Sequence, residues 1–292
     1  MAQPFTRELL LTTENDSYLF SKHDAYYTNG LFFRLDIARE KSGRKIIHRY
    51  ELGQCIYTPL ARNTRSPADI DRPYCGFLFA RYGSSSFPDG GAVFGYDVTL
   101  GMVGNASLGE DMQNGYHRLF HYARFAGWKY QVKNAIGIDI SVNYTRTVLQ
   151  TGNIAKLAPV AELSLGSNHT YAKAGTYVCI GAFEQNAGSA LFSARIDRTE
   201  KDRKRNYELF AYWRPDITWQ GYNATVQGGL FTKGDSAVLA KPERVMFQHA
   251  IGLCFAQSRW TVKAAVVFEN REAITQAMPQ RYGSLQVSYR MH

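Results

Sequence analysis

Apolar and polar residues alternate along most of this chain with the two-residue period of a strand, not the 3.6-residue period of a helix. At the C-terminus, Leu285, Val287, Tyr289 and Met291 alternate with Gln286, Ser288, Arg290 and His292. Trp260, Val262, Ala264, Val266 and Phe268 form another apolar face. Before them, Val245, Phe247, Ile251, Leu253 and Phe255 share a face interrupted by His249. The opposite face carries Met246, Gln248, Ala250, Gly252, Cys254 and Ala256. One bulky face and one small or polar face suit a barrel wall between lipid and a filled lumen. A soluble sandwich also alternates, but usually over shorter strands.

Strand-like runs fall at 7–16, 27–39, 45–57, 75–83, 92–103, 129–146, 155–168, 172–184, 205–217, 220–231, 243–256, 259–270 and 281–291. Single-chain bacterial barrels have even strand numbers, so one of these runs is an error. The stretch 155–184, with Gly166 and Gly175 inside it, is the expected place. The predicted architecture is all-β: one antiparallel transmembrane barrel of about 12 strands, filling residues 1–292 as a single domain. With both termini inside, the turns at 41–44 and 88–91 fall on the inner side and the segments 58–74 and 104–128 outside. Short inner turns and long outer loops are the usual asymmetry.

Residues 106–125 break the pattern and read as a short helix in an outer loop. Ser107 and Glu110 have the spacing of a capping box. Leu108, Met112, Tyr116, Leu119 and Phe120 form an apolar stripe expected to pack on the barrel rim. Glu110, Gln113, Asn114, His117, His121 and Arg124 populate the rest.

Composition sharpens this reading. No apolar stretch reaches the roughly 18–20 residues a transmembrane helix needs. The 19 Tyr residues suit interfacial girdles, because the ring is apolar and its tip is wet. A net charge of +9 would suggest nucleic acid in a soluble protein, but no basic helix or RNA-binding aromatic motif is present. A basic surface also suits lipopolysaccharide phosphates. The densest charged run, Glu200 to Arg205, mixes both signs and reads as a solvated loop tip. Cys55, Cys75, Cys179 and Cys254 have no metal-ligand spacing. A bridge between Cys55 and Cys75 is conceivable; small buried or lipid-facing residues is the plainer reading. The opening Met1 to Pro4 reads as a mature end after an added initiator, with any export signal outside this sequence.

Two polar signatures join across one loop: Glu14, Asn15 and Asp16, then Tyr27, Thr28, Asn29 and Gly30. A hairpin would place these groups together at one rim, within reach of the helix and His117. Taken singly, Asn15 and Asp16 are most often a turn signal, and a lone helical His is most often structural. His121, one turn on, competes with His117. Arg62, Arg65 and Arg72 in the long outer loop are candidate phosphate contacts, because Arg binds phosphate bidentately; the plain alternative is a solvated basic loop.

These residues resemble the outer-membrane lipid A 3'-O-deacylase family (LpxR-like) over essentially the whole chain. The resemblance rests on Glu14, Asn15 and Asp16; Asp24; Tyr27 to Gly30; Tyr57, Thr58 and Pro59; Asp71 to Tyr74; and Gly76. It continues through Gln113, His117, Gly127, Trp128, Gln131 and Asn134. It implies a twelve-stranded barrel with its site between the wall and a helix of an outer loop. It further implies hydrolysis of the 3'-linked acyloxyacyl ester of lipid A at the outer leaflet, with calcium as cofactor. Asn15 and Asp16 would help hold the metal, Thr28 would line the site, and His117 would be the base. The implied partners are lipopolysaccharide and the outer membrane, with no nucleic acid; the protein is expected to be a monomer.

Two positions depart from the pattern. The acidic residue expected six or seven positions after the histidine is replaced by Ala123 and Arg124, and a Glu after Asn134 by Ala135. Glu110 or Asp111 could supply the missing charge, or Arg124 itself could stand in for part of the metal's role. Two rival readings remain: a non-catalytic lipopolysaccharide-binding or degenerate barrel, and an outer-membrane phospholipase. The latter needs a Ser–His pair, for which the nearest string is Ser167 to Thr170.

Overall fold

The computed structural model describes residues 3–19, 25–61, 64, 66–119, 121, 124–197, 205–232 and 236–292. Twelve strands close into an antiparallel barrel: β1 (Arg7–Asn15), β2 (Tyr26–Lys41), β3 (Arg44–Thr58), β4 (Cys75–Ser86), β5 (Ala92–Val103), β6 (Ala135–Arg146), β8 (Ala155–Gly166), β9 (His169–Ala182), β10 (Tyr207–Asn223), β11 (Val245–Gln257), β12 (Trp260–Glu269) and β13 (Gln280–Met291). Each strand pairs with its neighbour in sequence, β13 returns to β1, and β6–β8 pairing completes the ring. The three-residue β7 (Leu149–Thr151) folds back on β8 beside the wall. No helix among the described residues is long and apolar enough to cross a membrane.

The expected even count holds, but the error was elsewhere. The runs within 155–184 are two genuine strands, β8 and β9. The runs 205–217 and 220–231 are instead one 17-residue strand, β10. Its register shift against β9, between Gln220 and Tyr222, is a bulge that leaves the ladder continuous. The run 129–146 begins as strand only at Ala135.

The pleat sorts side chains cleanly. Leu9, Leu11, Phe33, Leu52, Leu100, Ile138, Leu253 and Phe268 point outward and are exposed, as a lipid-facing belt requires. Many inward residues are charged, and several are paired: Arg290 with Glu8, Arg81 with Glu51, and Arg214 with Asp216. In these pairs each guanidinium meets a carboxylate, which is how buried charge is tolerated.

The opening at the termini departs from the rule of short inner turns. Between β9 and β10 the segment 183–197 folds back into the barrel mouth. Leu191 packs with Cys179, Phe210 and Cys254, and Ile196 packs with Ala38, Ile47 and Phe87. Three wall lysines hold it. Lys45 Nζ donates to the Ala194 and Ala187 carbonyls at 2.7 and 3.0 Å, Lys263 to that of Leu191 at 3.2 Å, and Lys156 to Asn186 Oδ1 at 3.1 Å. Of the charged run Glu200–Arg205, only Arg205 lies within the described residues; its N–H is bonded to Glu184 Oε1 at 2.7 Å. All four cysteines are buried free thiols, so Cys55 and Cys75 form no bridge.

Candidate active site

The longer loops gather at the rim opposite the termini, and the sequence signatures meet there in alternating roles. Glu14 turns into the lumen, where Tyr27 Oη donates to it at 2.6 Å and Ser284 Oγ at 2.9 Å. Asn15, the last residue of β1, accepts the Ser17 N–H on Oδ1 at 2.7 Å. Asp16 is buried and accepts the Ala25 N–H on Oδ2 at 2.9 Å. This pair of bonds closes the turn that the residue types foreshadow. The turn folds down the outside of the wall: Tyr18 Oη lies 2.8 Å from Thr13 Oγ1, and its Cβ crowds Gly283.

Thr28 is set by a bulge. Tyr27 pairs with Tyr57 and Asn29 with Ile56, which leaves Thr28 as the extra residue of β2. Its hydroxyl, buried, lies 2.8 Å from that of Thr58. Two residues earlier, Tyr26 has φ +67°, a left-handed backbone that is costly for an aromatic residue. Its hydroxyl donates to Asp71 Oδ2 at 2.6 Å and accepts the Ala277 N–H at 3.0 Å. Sequence reasoning missed Tyr26, because nothing local marks the positive φ.

The helix is present but turned over. Helix α1 (Gly109–Leu119) is shorter than 106–125 and has no capping box. Ser107 instead lies in a 3-10 turn, donating to the Gly104 carbonyl at 2.6 Å, and Leu108 is left-handed. Backbone proximity explains the sharp entry: a Cβ on Gly109 would lie 2.8 Å from Gly76 Cα. Leu108, Met112, Tyr116 and Leu119 are exposed, while Gln113 and His117 are buried. The apolar stripe therefore faces away from the wall, contrary to the sequence expectation; Phe120 lies outside the described residues. At a membrane rim the lipid is the apolar phase, so the polar face turns inward.

Signature residues fasten that face. Trp128 Nε1 donates to Gln113 Oε1 at 2.8 Å, Gln131 Nε2 to Glu110 Oε2 at 3.2 Å, and the Ala106 N–H to Asn134 Oδ1 at 2.9 Å. Partial burial, then the charge of Asp111, push the Glu110 carboxyl above its ordinary range, opposed by the Gln131 bond. The His117 ring meets Phe125 edge-on at 5.1 Å. Phe125 packs with Trp128, Tyr74, Ile70 and Ile56, the last on the outward face of β3 two residues before Thr58. His117 thus borders the covered patch of outer wall that ends at Thr58 and Thr28. Thr28 and Thr58 sit on adjacent strands, about 5 Å apart, and Asp16 opens the 3-10 turn that follows β1. His121 is exposed and left-handed, turned away from this patch.

Arg72 is corrected. It is fully buried, its Nε donates to Glu272 Oε2 at 3.0 Å and its Nη2 to Thr225 Oγ1 at 3.0 Å, and its guanidinium stacks 4.0 Å from the Tyr57 ring centre. With its donors spent internally, it ties three loops together and is not a phosphate contact. Its partners Thr225 and Glu272 carry no sequence signal, being far away in the chain. Arg62 and Arg65 lie outside the described residues.

Donor chemistry tests the fit to calcium. Asn15, Asp16, Thr28 and Thr58 offer only hard oxygens, as calcium requires. No group of three or more His, Cys, Asp or Glu exists among the described residues. Arg124 is exposed, and Ala123 lies outside the described residues. These are donor types that calcium takes, with one carboxylate among them.

Asp16 also lines a pocket of about 510 Å³ with Ala25, Tyr26, Phe247, Phe268 and Arg281. Phe247 and Phe268 belong to the lipid-facing belt, so the pocket reaches the outside of the wall, with Glu269 and Gln280 at its inner side.

A β-barrel with an apolar outer belt, a charged lumen and a polar cluster on its outer rim defines an integral outer-membrane protein with a membrane-side site. A family model described as outer membrane protein LpxR matches residues 1–291, and the chain belongs to that family. Among solved structures it is similar to LpxR from Salmonella typhimurium, with TM-score 0.79, 18% identity and coverage of 97% of this chain and 99% of that one. It is also similar to the β domain of the Bordetella autotransporter BrkA, with TM-score 0.51, 14% identity and coverage of 98% of both. At these identities the likeness shows the fold. No curated protein sequence matches the chain.

Proposed function

We propose that this protein is a calcium-assisted lipid A 3'-O-deacylase. The observation that carries the reading is placement: the Asp16 pocket and the His117 face of α1 both lie against the outside of the wall, where an outer-leaflet lipid arrives without leaving the membrane. A site for a soluble substrate would open to the lumen or to bulk water.

In this reading Nε2 or Nδ1 of neutral His117 takes a proton from a water as its oxygen attacks the ester carbonyl. The bond from that carbonyl to the sugar oxygen breaks, and the proton returns to the sugar oxygen. The products are an acid and a sugar hydroxyl. Asn15 and Asp16 would hold calcium, with Thr28 lining the site. When bound, the ion supplies positive charge where the carbonyl oxygen becomes negative. No Ser nucleophile is used. The string Ser167 to Thr170 is a hairpin tip, its Asn168 and His169 N–H groups bonded to Asp139 Oδ1 at 2.8 and 3.1 Å.

Mass spectrometry of lipid A incubated with the detergent-solubilised protein, with calcium or with a chelator, tests this. Loss of one acyloxyacyl group only with calcium is expected. Loss in both arms would remove the metal from the account. Loss in neither, with lipid still bound, would favour the non-catalytic lipopolysaccharide-binding reading.

A further inference from the structure

The pocket beside Asp16 extends away from His117, along the outer faces of β11, β12 and β13, and the chemistry proposed above does not use that extension. Its floor is Phe247 and Phe268 with His249 between them in the strand pairing; His249 pairs with Phe268 and stacks on Trp213 at 6.2 Å. Its upper wall is Met278 and Pro279 of the loop 270–279. At its mouth stands Arg281, the second residue of β13, outward and exposed. Asn270 is occupied, accepting the Phe247 N–H at 2.8 Å and donating to the Val245 carbonyl at 3.3 Å. Glu269 reaches the pocket from the lumen-facing side of its strand.

Arg281 is the informative residue. Among the described residues Arg281 meets no carboxylate, as is also true of Arg49 on β3, but Arg281 is the one that stands at the mouth of this pocket. An unpaired guanidinium at the rim of a lipid-facing wall stands at the level of anionic headgroups, and Arg holds phosphate in a bidentate fork. An aromatic floor below it, continuous with the lipid-facing belt, suits hydrocarbon. The two parts match one amphipathic molecule: chain below, phosphate above.

We infer that this pocket is a second subsite for the substrate lipid, seating an acyl chain on Phe247 and Phe268 and a lipid A phosphate on Arg281. The inference rests on the deacylase reading for the identity of the lipid. It gives the substrate two anchorages, with Asp16 on the boundary between them. The ester is then fixed by binding outside the reacting groups, which is how remote contacts raise reaction rates.

The test uses the full chain in detergent micelles. Arg281→Glu is expected to weaken binding of bis-phosphorylated lipid A about tenfold, the scale of one lost charge-assisted bond. Arg281→Lys should recover most of it, and dephosphorylated lipid A should not distinguish the variants. Met278→p-benzoylphenylalanine should photocrosslink lipid A, and the same change at Leu149, exposed at the opposite rim, should not. Unchanged binding in Arg281→Glu, or equal crosslinking at 278 and 149, overturns the subsite. Equal capture of phosphatidylglycerol at 278 overturns its assignment to lipid A. Hydrolysis is read on the same samples. Hydrolysis without crosslinking at 278 removes the subsite and leaves the deacylase reading, and crosslinking without hydrolysis does the reverse.

Discussion

The indole N–H of Trp128 donates to Gln113 Oε1 at 2.8 Å, and both side chains are buried between α1 and the wall. Gln113 lies one helical turn before His117, so this bond sets which face of α1 looks inward. Trp128→Phe leaves a buried amide oxygen without its donor, at a cost of about 1–3 kcal/mol. The cost falls on helix docking, not on the barrel. Steady-state kinetics should show kcat reduced about tenfold, with the Tm of the barrel unmoved.

Arg72 joins three loops through Glu272, Thr225 and Tyr57. Arg72→Met would strand a buried carboxylate, a change worth about 3–5 kcal/mol. Limited proteolysis should show cleavage in the rim loops of the variant under conditions that spare the wild type. The double variant Arg72→Met, Glu272→Leu should recover most of the protection. A phosphate contact would behave otherwise, losing lipid affinity with the loops intact.

Asp16 is the acidic ligand proposed for calcium. Asp16→Asn keeps an acceptor for the Ala25 N–H and removes the charge. The calcium concentration giving half-maximal activity should rise at least about tenfold, since affinity follows ligand charge. An unchanged calcium titration would move the metal elsewhere.

Glu110 titrates on the inward side of α1. Its carboxyl is raised in the folded protein, so the neutral form is the better docked one. The stabilisation it gives is complete below the unfolded carboxylate value and is lost as pH rises through the raised folded value. Hydrogen exchange of α1 amides should therefore speed up over that interval beyond the intrinsic pH effect. Glu110→Gln should abolish the excess.

The exposed stripe Leu108, Met112, Tyr116 and Leu119 makes α1 a membrane-facing element. Leu119→Lys should leave hydrolysis in detergent micelles unchanged and reduce it several-fold on lipopolysaccharide vesicles. Equal loss in both would mean that the stripe supports the protein and not its contact with lipid.

The strands were legible because one face meets lipid and the other a charged lumen, so the period-2 signal is strong at Leu285 to His292 and at Val245 to Phe255. The runs 205–217 and 220–231 were read apart because no local pattern shows that a bulge between Gln220 and Tyr222 leaves the ladder continuous. The stripe of α1 was visible, but a stripe cannot say whether protein or lipid lies beneath it. Asn15, Asp16, Thr28 and His117, candidates from the sequence, lie along one outer rim. Arg72 was misread, because its partner Glu272 stands 200 residues away in the chain. The plug at 183–197 gave no signal: its anchors are backbone carbonyls taken by lysines of distant strands.

The most direct test of the account is the mass of lipid A after incubation, in saturating calcium, with the wild-type protein and with His117→Ala. The account predicts loss of one acyloxyacyl group with the wild type and a rate lower by about 10²-fold or more with the variant, the scale of a missing general base. Deacylation at equal rates by both proteins would contradict it.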